Sequence, residues 1–152
     1  MYMFLLLLGL LSNGDFAQGL AHWNADPGWS VERQVAQLNI DNRAGAGTRG
    51  ADLCSEAVAL NGAPRVKGAA DVWAKRTANG YVFVGVRWLD SAKRPLWTEM
   101  IASNEGKPNA TWQHLTFHAD APPPARFASF CFFTGTYAGK TYRAQADNAS
   151  LQ

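Results

Sequence analysis

Flat aromatic side chains sit among charged ones in three places: Trp73 between Asp71 and Lys75, Tyr81 and Phe83 ahead of Arg87, and Trp97 two residues before Glu99. Aromatic faces of this kind stack on the C–H side of a pyranose ring, and neighbouring polar groups bond its hydroxyls. Each grouping also has a plainer account. Trp73 could lie across lysine stems at a sheet edge, Tyr81 and Phe83 could pack beneath a loop, and Arg87 could form a cross-strand ion pair worth under ~1 kcal/mol. The strand parity of Trp97 is ambiguous.

The other reactive residue types form no catalytic constellation. His114 and His118 are four apart, which on a helix would put both rings over one turn. On a strand, at ~3.3 Å per residue, they stand about 13 Å apart, too far to share a zinc ion with bonds near 2 Å. Neither a second Cys pair nor an H-E-x-x-H run supplies further ligands. Glycosidic hydrolysis needs two carboxylates held about 5–10 Å apart, and no pair among Glu56, Glu99, Glu105 and the aspartates is singled out by its surroundings. There is no G-x-S-x-G nucleophile elbow. The glycines between Asp41 and Gly50 lack the strand-then-helix context of a phosphate cradle. The sequence reads as a non-enzyme that needs no cofactor for chemistry.

The elements that must carry these residues are strands. Tyr81 to Asp90 (YVFVGVRWLD) alternates strictly: Val82, Val84, Val86 and Trp88 make a core face, and Tyr81, Phe83, Gly85 and Arg87 the opposite one. Val66, Gly68, Ala70, Val72 and Ala74 form another inward row, leaving Arg65, Lys67, Asp71, Trp73 and Lys75 outward. Further strands are expected over Trp29 to Ile40, over Leu53 to Leu60, around Leu96 to Ala102, over Thr111 to Ala119 with Leu115 and Phe117 inward, over Phe127 to Phe133 as a central strand apolar on both faces, and over Tyr142 to Leu151. Eight or nine short strands with no helical period argue an all-β antiparallel sandwich.

The chain has 152 residues, of which 47% are hydrophobic and 17% charged, which suits one ordered domain burying about two-thirds of its unfolded surface. Residues 13–152 are read as that domain. A net charge of +2 is too small to imply nucleic acid as a partner. Met1 to Leu11 is apolar but about half as long as a membrane span, and residues 1–12 are read as a signal or membrane-helix remnant offering a membrane tether, with Leu10 and Leu11 as alternative first-strand residues. Cys54 and Cys131 both fall in apolar rows, and one bridge or two buried thiols are equally consistent.

Asn13-Gly14-Asp15-Phe16 followed by Gly19 and Trp23 resembles the NGDFExG…W opening of jelly-roll carbohydrate-binding modules of the CBM4/9 type. Thr111-Trp112-Gln113 with Leu115 and Phe117, the Ala121-Pro122-Pro123 corner with Ala125, and Ala146-Asp147-Asn148-Ala149-Ser150-Leu151 are similar to further motifs of that family, in the same order. The resemblance implies a galactose-binding-like jelly roll, a polysaccharide or glycan partner, an extracellular or periplasmic home and a core position for Trp112. It raises a structural calcium ion near Asp15 and Asp147, although the family's glutamate after the opening phenylalanine is Ala17 here. The same fold also serves as a structural or protein-interaction sandwich without sugar. On the resemblance and the outward aromatics together, the expected binding residues are Trp73, Tyr81, Phe83, Arg87, Trp97 and Glu99.

Overall fold

The computed structural model describes residues 11–75, 77–105 and 110–152. The apolar segment 1–10, and with it the expected tether, lies outside them. Among the described residues no helix is long and apolar enough to cross a membrane.

Twelve strands follow in chain order: β1 (Trp23–Ala25), β2 (Trp29–Glu32), β3 (Val35–Asp41), β4 (Arg49–Gly50), β5 (Leu53–Ser55), β6 (Val58–Ala59), β7 (Arg65–Ala74), β8 (Gly80–Leu89), β9 (Pro95–Ser103), β10 (Gln113–Asp120), β11 (Phe127–Thr136) and β12 (Thr141–Leu151). They build two antiparallel sheets. The first runs β1-β5-β11-β8-β9, with β4 and β6 also on β11; the second runs β10-β7-β12-β3-β2. β7 and β8 are consecutive yet belong to different sheets, joined through the 3-10 turn Thr77–Asn79.

The alternating rows meet between the sheets. Val82, Val84, Val86 and Trp88 on β8, with Phe130 and Phe132 on β11, face Val66, Ala70 and Val72 on β7, Leu115 and Phe117 on β10, and Tyr142, Ala144 and Ala146 on β12, all buried. The Phe117 and Phe130 rings meet across the gap with centroids 5.8 Å apart. Gly68 makes room for this, since a Cβ there would stand 2.2 Å from Phe117 Cζ. Each large side chain so buried contributes about 1.5–3 kcal/mol.

The opening motif has a structural job. Asn13 Nδ2 donates to the carbonyls of Gly19 and Ala21, and Asn13 Oδ1 accepts from the Gln18 amide. Trp23 Nε1 donates to the Asn13 carbonyl. The Ala149 amide donates to the Gly14 carbonyl at 2.9 Å, so the turn is clasped to the bulge in β12.

Several expected elements differ. Trp29 to Ile40 is not one strand but the β2–β3 hairpin, because Arg33 and Gln34 take positive φ (51° and 61°) with no glycine or asparagine to signal the turn. Leu53 to Leu60 divides into β5 and β6, with Glu56 and Ala57 between them, where the Glu56 amide donates to the His22 carbonyl. Leu11 packs on the core outside any strand. Trp112 is not in the core: it is 46% exposed, and its strand begins only at Gln113. Cys54 and Cys131 are bridged. They pair directly across β5 and β11 on the outer side of the first sheet, and Phe133 and Phe83 cover the sulfurs. β11 is thus buried on both faces, as a central strand should be.

Candidate functional site

The outer face of the second sheet brings together side chains that are far apart in sequence. Val72 and Ala74 are buried, so Trp73 between them points outward and is half-buried. Directly opposite residues of antiparallel strands share a face. Trp73 pairs with Gln145 on β12, Gln145 with Gln37 on β3, and Gln37 with Ser30 on β2. On the other side, β10 pairs with β7 up to Gln113 and Val72, and Trp112 is the residue just before that strand. Register thus gives one row across four strands, Trp73, Gln145, Gln37 and Ser30, and Trp112 stands at its end, one residue before β10. Neighbouring strands stand ~4.8 Å apart.

Its flanks differ in charge. On the same face, Asp71 on β7 lies on one side of Trp73, and Lys75, just past the end of β7, on the other. Asp71 is engaged: its Oδ1 meets His114 Nδ1 at 2.7 Å, and its Oδ2 accepts from Asn148 Nδ2 at 2.9 Å. Lys75 and Arg143, which flanks Gln145 on β12, line a surface pocket of about 230 Å³ together with Asn79, Thr141 and Tyr142. Two indole faces, two primary amides, a hydroxyl and a charged border are the groups that stack on and hydrogen-bond a sugar.

The other sequence-derived candidates stand elsewhere. Tyr81, Phe83 and Arg87 do share a face, but it is the outer face of the first sheet, on the far side of the sandwich from Trp73. Tyr81 lies over Gly135, where a Cβ would come within 2.5 Å of its hydroxyl, and it contacts Phe83 and Tyr137 with centroids 5.7 and 6.2 Å apart. Arg87 reaches Asp52 at 3.5 Å and stands 5.9 Å from the Phe133 ring. Burial, and then the charge of Asp26, push the Asp52 carboxyl up, with Arg87 pulling it back. Trp97 and Glu99 sit on the edge strand β9, opposite the core residues Trp88 and Val86. Trp88 Nε1 and Trp97 Nε1 both donate to Glu99 Oε1, at 3.0 and 3.1 Å. A site joining Trp73 to Tyr81 and Arg87 therefore does not form; the six residues divide among two sheet faces and one edge.

Sequence reasoning missed Trp112, Gln145 and Gln37. The signal for Trp112 was present. With Leu115 and Phe117 inward, alternation puts Gln113 inward and Trp112 outward.

Asp15 and Asp147 do approach one another. Burial first, then the charges of Asp71 and Asp15, push the Asp147 carboxyl up. Calcium takes six to eight oxygens. Here Asp15 Oδ1 accepts the Ala17 amide, Asp147 Oδ1 accepts the Asn148 amide, Asp71 is held by His114 and Asn148, and Ala17 has no side-chain oxygen. Among the described residues no three His, Cys, Asp or Glu side chains gather as a metal would require.

The same architecture recurs in solved structures. A family 4 carbohydrate-binding module superposes with a TM-score of 0.62 at 11% identity, over 90% of this chain and 98% of the other. A family 61 module in complex with β-1,4-galactotriose gives 0.61 at 11% identity, over 93% and 96%. The fold is that of the jelly-roll carbohydrate-binding modules. The K1 cleaved adhesin domain of Lys-gingipain from Porphyromonas gingivalis W83 shares it too, with a TM-score of 0.54 at 18% identity over 95% and 98%. No protein-family model matches the sequence, and no curated protein matches it.

Proposed function

We propose that the protein is a non-catalytic carbohydrate-binding module that holds a poly- or oligosaccharide along the row Trp73, Gln145, Gln37, Ser30 and the adjoining Trp112. The observation that carries this reading is the row itself: Trp73, Gln145 and Gln37 placed side by side by strand register, with the exposed Trp112 beside its end, on a sheet whose packing does not need them. The kinship in fold with modules that bind sugars supports it, at identities that speak only for the fold. Trp73 and Trp112 are the stacking platforms, and Gln145 and Gln37 bond ring hydroxyls. The Cys54–Cys131 bridge supports an extracellular or periplasmic home, where such bonds persist.

The reading is tested by titrating folded protein with soluble β-glucans, xylans and galactans while following tryptophan fluorescence, and by calorimetry. Saturable binding that disappears in Trp73→Ala and persists in Tyr81→Ala is the expected result. Loss in Tyr81→Ala with retention in Trp73→Ala would move the site to the first sheet. No response to any glycan would leave a structural or protein-interaction sandwich instead.

A further inference from the structure

We infer that the sugar chain taken by the second sheet is acidic, and that Lys75 and Arg143 receive its carboxylate or sulfate groups. This rests on the sugar-binding reading of the row and names its substrate class.

Lys75 follows Trp73 by two positions, just past the end of β7, and Arg143 precedes Gln145 by two on β12; the Lys75 amide–Arg143 carbonyl bond continues the β7–β12 register, so both flank the row on the same side at a step of ~7 Å. The Lys75 amide donates to the Arg143 carbonyl at 3.0 Å, which keeps the two strands abutting where the cations emerge. Both side chains are exposed. Among the described residues neither has an acidic partner, whereas Arg43, Arg65, Arg87 and Arg94 each have one. The pocket between them adds the side chains of Asn79 and Thr141.

The surroundings are basic as well. Arg43 and Arg49 contact Asp41, and Lys140 lies beside them through the Asn42 amide, at the end of the second sheet where Thr141 pairs with Asp41. Arg43 holds the Asp41 carboxylate at 2.7 Å, and Arg49 Nη1 donates to the Asp41 carbonyl. Asp41 therefore leaves Lys75 and Arg143 uncompensated. The modest net charge of +2 hides this, because the acidic residues Asp15, Asp71 and Asp147 collect on the opposite flank. A chain lying along the row has a cationic border on one side and Asp71 on the other. Substituents bearing negative charge are drawn to the Lys75 side and repelled from the Asp71 side, which fixes the orientation of the chain. Continuity with the indoles and amides favours a glycan over other polyanions.

The test compares polymers that share a backbone and carry charged or neutral substituents: polygalacturonate against its methyl ester, and carboxymethylcellulose against hydroxyethylcellulose, at low (about 50 mM) and high (about 500 mM) salt. The acidic member of the bound pair should bind roughly five- to tenfold more tightly at low salt, as two exposed ion pairs allow. The difference should close at high salt, and at low salt in Lys75→Gln/Arg143→Gln, with binding of the neutral member unchanged. Trp73→Ala should remove binding of both. Equal binding of the two members, or a preference that survives the double variant, would overturn the inference and leave the site standing. Displacement of the acidic polymer by an equimolar duplex DNA oligonucleotide would also overturn it. Binding of neither member by folded protein would remove the site reading along with it.

Discussion

Replacing Trp112 by alanine separates binding from folding. The side chain is 46% exposed, so of the roughly 150–250 Å² a tryptophan can bury, about 100 Å² is open to a ligand. At about 25 cal/mol per Å² that surface is worth at most ~2.5 kcal/mol on being covered by a sugar, an affinity loss of up to about 60-fold. Incomplete overlap lowers this, and a five- to thirtyfold loss is the working expectation. Stability should hardly respond, because an exposed side chain leaves no cavity: a change within about 1 kcal/mol, or a few degrees in melting temperature. A core tryptophan would cost about 3–5 kcal/mol instead. Calorimetric titration with whichever glycan the native protein binds, paired with a thermal melt, reads both quantities. A melt lowered by ten degrees or more, or unchanged affinity with an unchanged melt, would refute the placement of Trp112 beside the binding row.

Two further outcomes follow from the packing. Burial pushes the Tyr142 phenol up to about 12, with the Asn104 amide offsetting only part of the effect, and the hydroxyl makes no hydrogen bond of normal geometry. The folded state thus keeps this proton longer than the unfolded chain, whose tyrosine titrates near 10, and stability is lost as pH rises from about 10 to about 12, by about 2–3 kcal/mol from this group. Tyr142→Phe should flatten that stretch of a urea-midpoint profile without weakening the fold at neutral pH; an unaltered alkaline slope would contradict it. The Cys54–Cys131 bridge spans 77 residues of sequence, which in the chain-entropy model corresponds to about 4.5 kcal/mol. Cys54→Ala/Cys131→Ala should lower the melting temperature by roughly 9–18 °C, and a shift under a few degrees would mean the packing of Phe133 and Phe83 holds those strands without help.

What could be read from the sequence was the face each residue takes; what could not was the sheet. Alternation within β7 and β8 placed Trp73, Tyr81 and Arg87 outward, and the structure agrees. Alternation does not say whether β7 and β8 lie in one sheet. The 3-10 turn Thr77–Asn79 carries the chain from the second sheet to the first, so the two outward faces look in opposite directions. Trp97 and Glu99 were ambiguous because β9 pairs with β8 through two register shifts, each of which resets alternation. Trp112 was lost to a motif match that outranked the parity of Leu115 and Phe117. Gln145 and Gln37 carry no signal in isolation, because an amide on an outward strand position is ordinary until register shows what stands beside it.

Trp73, Gln145, Gln37 and Ser30 come one from each of four strands, with Trp112 just before a fifth, and that has a consequence for how such a surface can change. None of these residues packs in the core, so any of them can be exchanged without rebuilding the interior. If the row binds sugar as proposed, adjacent members, ~4.8 Å apart, would meet the same part of the ligand and their substitutions should be epistatic; members two strands apart, at about 10 Å, should behave almost additively. Specificity on this scaffold can then be altered piecemeal, by tuning Trp112 and Gln145 independently while Trp73 keeps its hold, and the history of such a surface would be one of small separable steps.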